Sequence, residues 1–94
     1  MKYVYVLMEE GSWDFYDSKT DVVVFSTFEK ALEEFNQRVA NAKVDLEDWR
    51  ESDTKMQEEL NVNKDDESAS FEAYEDGYYE RLHSNITITK EEVK

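Results

Sequence analysis

A chain of 94 residues sets the scale at one domain, 1–94, with a modest core. Acidic residues number 24 against 11 basic ones, a formal charge of −13, which excludes direct binding to a nucleic-acid backbone because that requires cationic groups to displace counterions. There is no cysteine, so no disulfide framework or thiolate metal site can form.

Hydrophobic residues make up 39% of the chain and aromatic residues 14%. Large rings bury much area each, so the composition predicts a folded protein despite its charge. No stretch approaches a membrane span. The apolar start is too short for a signal-peptide core and no small-residue cleavage site follows it, so a cytoplasmic setting is expected.

Residues 2–8, KYVYVLM, predict a strand. Tyr3, Tyr5 and Leu7 share one face and Val4, Val6 and Met8 the other; with both faces apolar, the strand is expected to be central. Residues 9–12 are expected to turn, with Gly11 supplying a positive φ. Trp13, Phe15 and Tyr16 then form an aromatic group interleaved with Asp14 and Asp17. Residues 21–25, DVVVF, predict a second strand on β-branched propensity.

The longest periodic segment covers residues 27–50. Phe28, Leu32, Phe35, Val39, Ala42, Leu46 and Trp49 recur at spacings of three and four and define one helical stripe. Ser26 is the expected N-cap, with Glu29 completing a capping box. Glu34 and Arg38 form a favourably oriented i,i+4 pair. Met56 and Leu60 stay in phase with the stripe while Asp53 interrupts it, which predicts a kink and a short second helix near 55–61.

Residues 62–70 are polar and without period, and are expected to form a mobile acidic loop. A strand follows over 70–75, then Asp76-Gly77 as a hairpin signal, a last strand over 78–89 and a frayed tail at about 90–94. The expected fold class is α+β. A four-stranded, mostly antiparallel sheet runs β-β-α-β-β in sequence, with the long helix on one face and an open, aromatic-rich face opposite.

The run YVYVLMEEGSWDFYD, followed by VVVFSTFEKALEEF, resembles the opening of small uncharacterised bacterial and phage proteins with an apolar strand, an aromatic-acidic loop, a VF strand and an EKA helix. The resemblance covers roughly the first forty residues. It implies a β-β-α start, a bacterial or phage origin and a cytoplasmic setting. It carries no activity with it.

Chemistry-bearing patterns are sparse. Asn61, Asn63, Asp65 and Glu72 occupy positions one, three, five and twelve of an EF-hand calcium loop, but position one is not Asp and Asp66 stands where the loop needs glycine. A solvated acidic loop explains the segment, and no metal site is assigned. His83, the single histidine, has no nucleophile or carboxylate orienter on its strand face. Glu9-Glu10, Glu33-Glu34 and Glu58-Glu59 are pairs that composition alone guarantees. With Gly11 and Gly77 as its two glycines the chain has no phosphate-binding loop. No enzyme, catalytic residue or cofactor is expected.

The charge excess is concentrated in residues 27–76, whereas 77–94 balance. The expected function is a small acidic protein-binding module for a basic protein surface. Its sharper form is a nucleic-acid-mimicking inhibitor, whose carboxylates stand in for phosphates on a basic nucleic-acid-binding partner. The alternatives are a cation-responsive module built on residues 61–72 and a small enzyme with no identifiable site. Binding is assigned to Glu33, Asp45 and Asp48 on the helix, to Asp65, Asp66 and Glu67 in the acidic loop, and to the aromatics Trp13 and Tyr78, which suit cation–π contact with Lys or Arg. The open aromatic sheet face is expected to support a homodimer.

Overall fold

The computed structural model describes residues 2–13, 17–49, 55–76 and 82–93. The elements run β1 (Lys2–Trp13), β2 (Asp17–Phe25), α1 (Phe28–Trp49), β3 (Lys55–Asn63), β4 (Ser68–Asp76) and β5 (Leu82–Val93). They form a five-stranded sheet in the order β2-β1-β5-β4-β3, with every pairing antiparallel. The fold is α+β with one long helix on the sheet, but there are five strands rather than four.

The additional strand is β3. Residues 55–61 carry an apolar pair at helical spacing, Met56 and Leu60, yet they are extended and pair along their whole length with β4, Leu60 opposite Phe71 and Val62 opposite Ala69. Glu58, Leu60 and Val62 therefore share one face, a period of two that cross-strand pairing selects over local helix propensity. The stretch 62–70 contains the end of β3, a turn at 64–67 and the start of β4.

β1 lies inside the sheet between β2 and β5, as its two apolar faces predict. It is longer than expected, because Gly11 is extended and pairs with Lys19 and Ser84 instead of turning the chain. Residues 90–93 continue β5 and pair with the start of β1. Gly77 and the residues to 81, including Tyr78, lie outside the described residues, as do Phe15 and Tyr16.

The helix runs where the stripe predicts it. Phe28, Ala31, Phe35, Val39 and Ala42 are buried on Tyr5, Leu7, Phe71, Ile86 and Ile88. The cap shifts by one residue: Thr27 Oγ1 accepts from the Lys30 N–H at 3.3 Å, and the Thr27 carbonyl accepts from Ala31 at 3.2 Å. The Tyr5 and Phe28 rings meet tilted, their centroids 5.9 Å apart.

A helix about 10 Å across cannot cover five strands spaced about 4.8 Å apart. α1 sits mainly over β5 and β1, with smaller contact to β2 and β4. Leu60 and Val62 point to the helix side of β3 but remain 50% and 42% exposed. The molecule is elongated, 50 × 24 × 18 Å, as expected from two strands of 12 residues, each about 40 Å long.

The face opposite the helix is also corrected. Tyr3 and Tyr5 alternate with Val4, Val6 and Met8, and the helix lies on the tyrosine side. The described apolar residues on the open face are Val4, Val6 and Met8 of β1, Val22 and Val24 of β2, and Val93 of β5. Among the described residues it is aliphatic at the β1–β2 end, and Tyr74 is the one described aromatic that belongs to it.

Candidate functional site

Two polar constellations organise the helix side. The first is centred on Arg38. Its Nε donates to Glu34 Oε1 at 2.9 Å, the expected i,i+4 pair. Its Nη1 donates to Glu9 Oε1 of β1 at 3.0 Å and to Asp21 Oδ2 of β2 at 2.8 Å. One guanidinium thus ties the helix to two strands. Its side chain is 16% exposed, and that of Glu9 15%. Burial alone would lower the Arg38 pKa, but the bonds to Asp21, Glu34 and Glu9 outweigh it and hold the pKa above its ordinary value. Asn41 and Asp45 complete an open cleft of about 450 Å³ around this group.

The second constellation closes the β3–β4 turn onto the sheet. Asn63 Oδ1 accepts from the backbone N–H groups of Asp65 and Asp66, each at 3.1 Å, and its Nδ2 donates to Asp66 Oδ2 at 2.8 Å. This is an Asx-type turn. Glu67 follows with φ 54°, a left-handed conformation that a non-glycine residue adopts at some cost. There it accepts from the Tyr5 hydroxyl at 2.8 Å and from Lys90 Nζ at 2.8 Å. Lys90 Nζ also stands 4.3 Å from the centroid of the Tyr3 ring, within cation–π range.

The expected binding residues separate into groups. Glu33 and Asp45 are exposed on α1, and Asp65 and Asp66 are exposed in the turn. The turn lies against the first turns of the helix, where Phe28, Glu29, Leu32, Lys64, Asp65 and Glu67 line a shallow depression. Of the helix acids it is Glu29 that borders the turn, whereas Asp45 lines the Arg38 cleft toward β2. Glu67 differs from its neighbours, being held inward by Tyr5 and Lys90. The backbone of Trp13 and of Asp48 is described at the ends of β1 and α1, but their side chains are not, and Tyr78 is outside the described residues.

The calcium-loop spacing does not become one cluster. Glu72 lies on β4 between Phe71 and Ala73, which are both buried under the helix, so Glu72 projects from the open face. Asn63 is committed to the turn and Glu67 to Tyr5 and Lys90. Among the described residues no group of three or more His, Cys, Asp or Glu is arranged to hold a metal ion. His83 is half-buried on the open face, in register with Ser12 and Tyr74.

Sequence reading found the Glu34–Arg38 pair because it is local. It missed Glu9 and Asp21, which lie on two other strands and reach Arg38 only in the folded sheet. No protein-family model, curated protein or solved structure matches the chain.

Proposed function

We infer that the protein is a small acidic module that binds a basic protein surface. The observation that carries this reading is the set of exposed carboxylates left after internal pairing. Arg38, Lys43 and Lys90 are each committed to an acid. No cation among the described residues pairs with Glu29, Glu33, Asp45, Asp65 or Asp66. Such a surface gains from a cationic partner by steering the encounter and by relieving self-repulsion.

The sharper form of the reading is mimicry of a nucleic acid toward a basic nucleic-acid-binding partner. The long, narrow shape supports it. Charge density limits it: a net charge of −13 spread over 50 Å is about one charge per 4 Å, against about one per 1.7 Å for duplex DNA. A partner groove would be filled in part, so apolar contact must supply the remaining affinity.

The test is affinity capture from producing cells after nuclease treatment, with the wild-type chain and a Glu33→Lys/Asp45→Lys variant as baits. The reading expects a basic protein retained by the wild type, released by salt and lost by the variant, with nucleic acid competing for it if the chain is a mimic. Equal retention by both baits at high salt contradicts it.

A further inference from the structure

The two edges of the sheet are unlike. β3 carries Glu58 and Glu59 at its centre, charges of the kind that discourage a further strand from adding. β2 has its charges confined to residues 17–21 and continues as an uncharged run, Val22, Val23, Val24 and Phe25, without proline, glycine or bulge. β2 pairs with β1 on one side only, and no described residue hydrogen-bonds to the outer backbone groups of residues 22–25. Val22 and Val24 are 54% and 58% exposed on the open face. Val4, Val6 and Met8 extend that aliphatic surface inward on β1.

The helix side of the same edge has the opposite character. Asp21 opens there onto the cleft around Arg38, where Glu9, Asp21 and Glu34 share a single guanidinium and Asp45 adds a further carboxylate to the lining. A strand added beside β2 would send alternate side chains to the two faces. One set would cover Val22 and Val24. The other would reach the acidic cleft.

We propose that the β2 edge accepts an extended segment of the basic partner as a sixth strand, with apolar side chains laid over Val22 and Val24 and Lys or Arg directed to the cleft beside Asp21. This rests on the acidic-module reading and gives it a docking mode: main-chain pairing provides affinity and the two faces provide specificity. A second copy of the chain does not fit the same edge, because each copy brings a charge of −13 and an equally acidic cleft.

Methyl and amide NMR on the full chain tests this with three seven-residue peptides: alternating Val and Lys, alternating Val and Glu, and alternating Ser and Lys. The Val–Lys peptide should shift the methyls of Val22 and Val24 and slow amide exchange within residues 22–25. The Val–Glu peptide should do neither. Asp45→Asn, which leaves the Arg38 bonds intact, should weaken Val–Lys binding about two- to fivefold. If Ser–Lys binds as tightly as Val–Lys while the Val22 and Val24 methyls stay unmoved, the edge proposal falls and the acidic reading survives. If no lysine peptide binds, both fall. Binding of the Val–Glu peptide overturns the charge assignment. Concentration-dependent shifts of the same methyls without peptide assign the edge to a second copy and overturn the proposal.

Discussion

Tyr5 and Glu67 are 62 positions apart in sequence, yet the Tyr5 hydroxyl donates to Glu67 Oε2 at 2.8 Å. The bond fastens the acidic β3–β4 turn to the interior strand β1. Bonds from Lys90 and then Tyr5 hold the Glu67 pKa below its ordinary value of 4.5. The same carboxylate raises the pKa of Tyr5 and of Lys90.

The sign of the resulting pH dependence follows. A depressed carboxyl pKa contributes stability that is complete above 4.5 and is lost as pH falls through the lower folded value. The raised Lys90 pKa contributes stability that is complete below 10.5 and is lost as pH rises through the higher folded value. Glu67→Gln should flatten both limbs of a Tm-against-pH curve, and Tyr5→Phe should reduce the acid limb in part and also the alkaline limb, where the raised Tyr5 pKa adds to that of Lys90. An unchanged acid limb in Glu67→Gln would contradict the assignment.

Arg38 should behave as a clamp. Arg38→Met removes three charge-assisted bonds and leaves Glu9 largely buried without its partner. Solvent screens the Asp21 side, so the expected loss is about 1–2 kcal/mol by denaturant titration. Arg38→Lys should recover only part of this, since an ammonium cannot reproduce the guanidinium fork. Equal stability of Arg38→Lys and wild type would count against the three-way geometry.

Phe35 is fully buried at the centre of the helix–sheet contact. Phe35→Ala should cost about 3–5 kcal/mol through the lost transfer energy and the cavity left behind. Leu32→Ala, at a position only partly buried, should cost less. The ratio of the two effects, read from urea midpoints at constant slope, tests which side of the helix faces the sheet.

How far the fold was legible depended on the range of the signal. The helix was readable because its 3.6-residue period persists over 22 residues. β1 and β2 were readable from β-branched and aromatic content. β3 was not: Lys55, Met56, Gln57, Glu58, Glu59 and Leu60 are all good helix formers, and only pairing with β4 makes them a strand. Which face of β1 the helix covers was likewise undetermined, because Tyr3–Tyr5–Leu7 and Val4–Val6–Met8 are both apolar. The acids of the helix and turn were visible as composition. Their separation from Glu67 was not, because it depends on Tyr5 and Lys90 arriving from distant strands.

Calcium should have no specific effect. Glu67 is engaged by Tyr5 and Lys90, and Glu72 projects from the opposite face of the sheet. Millimolar calcium should therefore move Tm no more than matched ionic strength does. A larger rise, absent in Glu72→Ala, would show that residues 61–72 rearrange into a cation site.

The most direct test of the acidic-module account is the association rate with the basic partner recovered by capture, measured by stopped flow at low and high salt. Glu33 and Asp45 are exposed and outside the core, so reversing them to Lys should change stability little. The account predicts that the rate falls steeply with salt, and that Glu33→Lys/Asp45→Lys slows association more than it speeds dissociation. A rate indifferent to both salt and these reversals would contradict it, and would leave the carboxylates as a solubility feature.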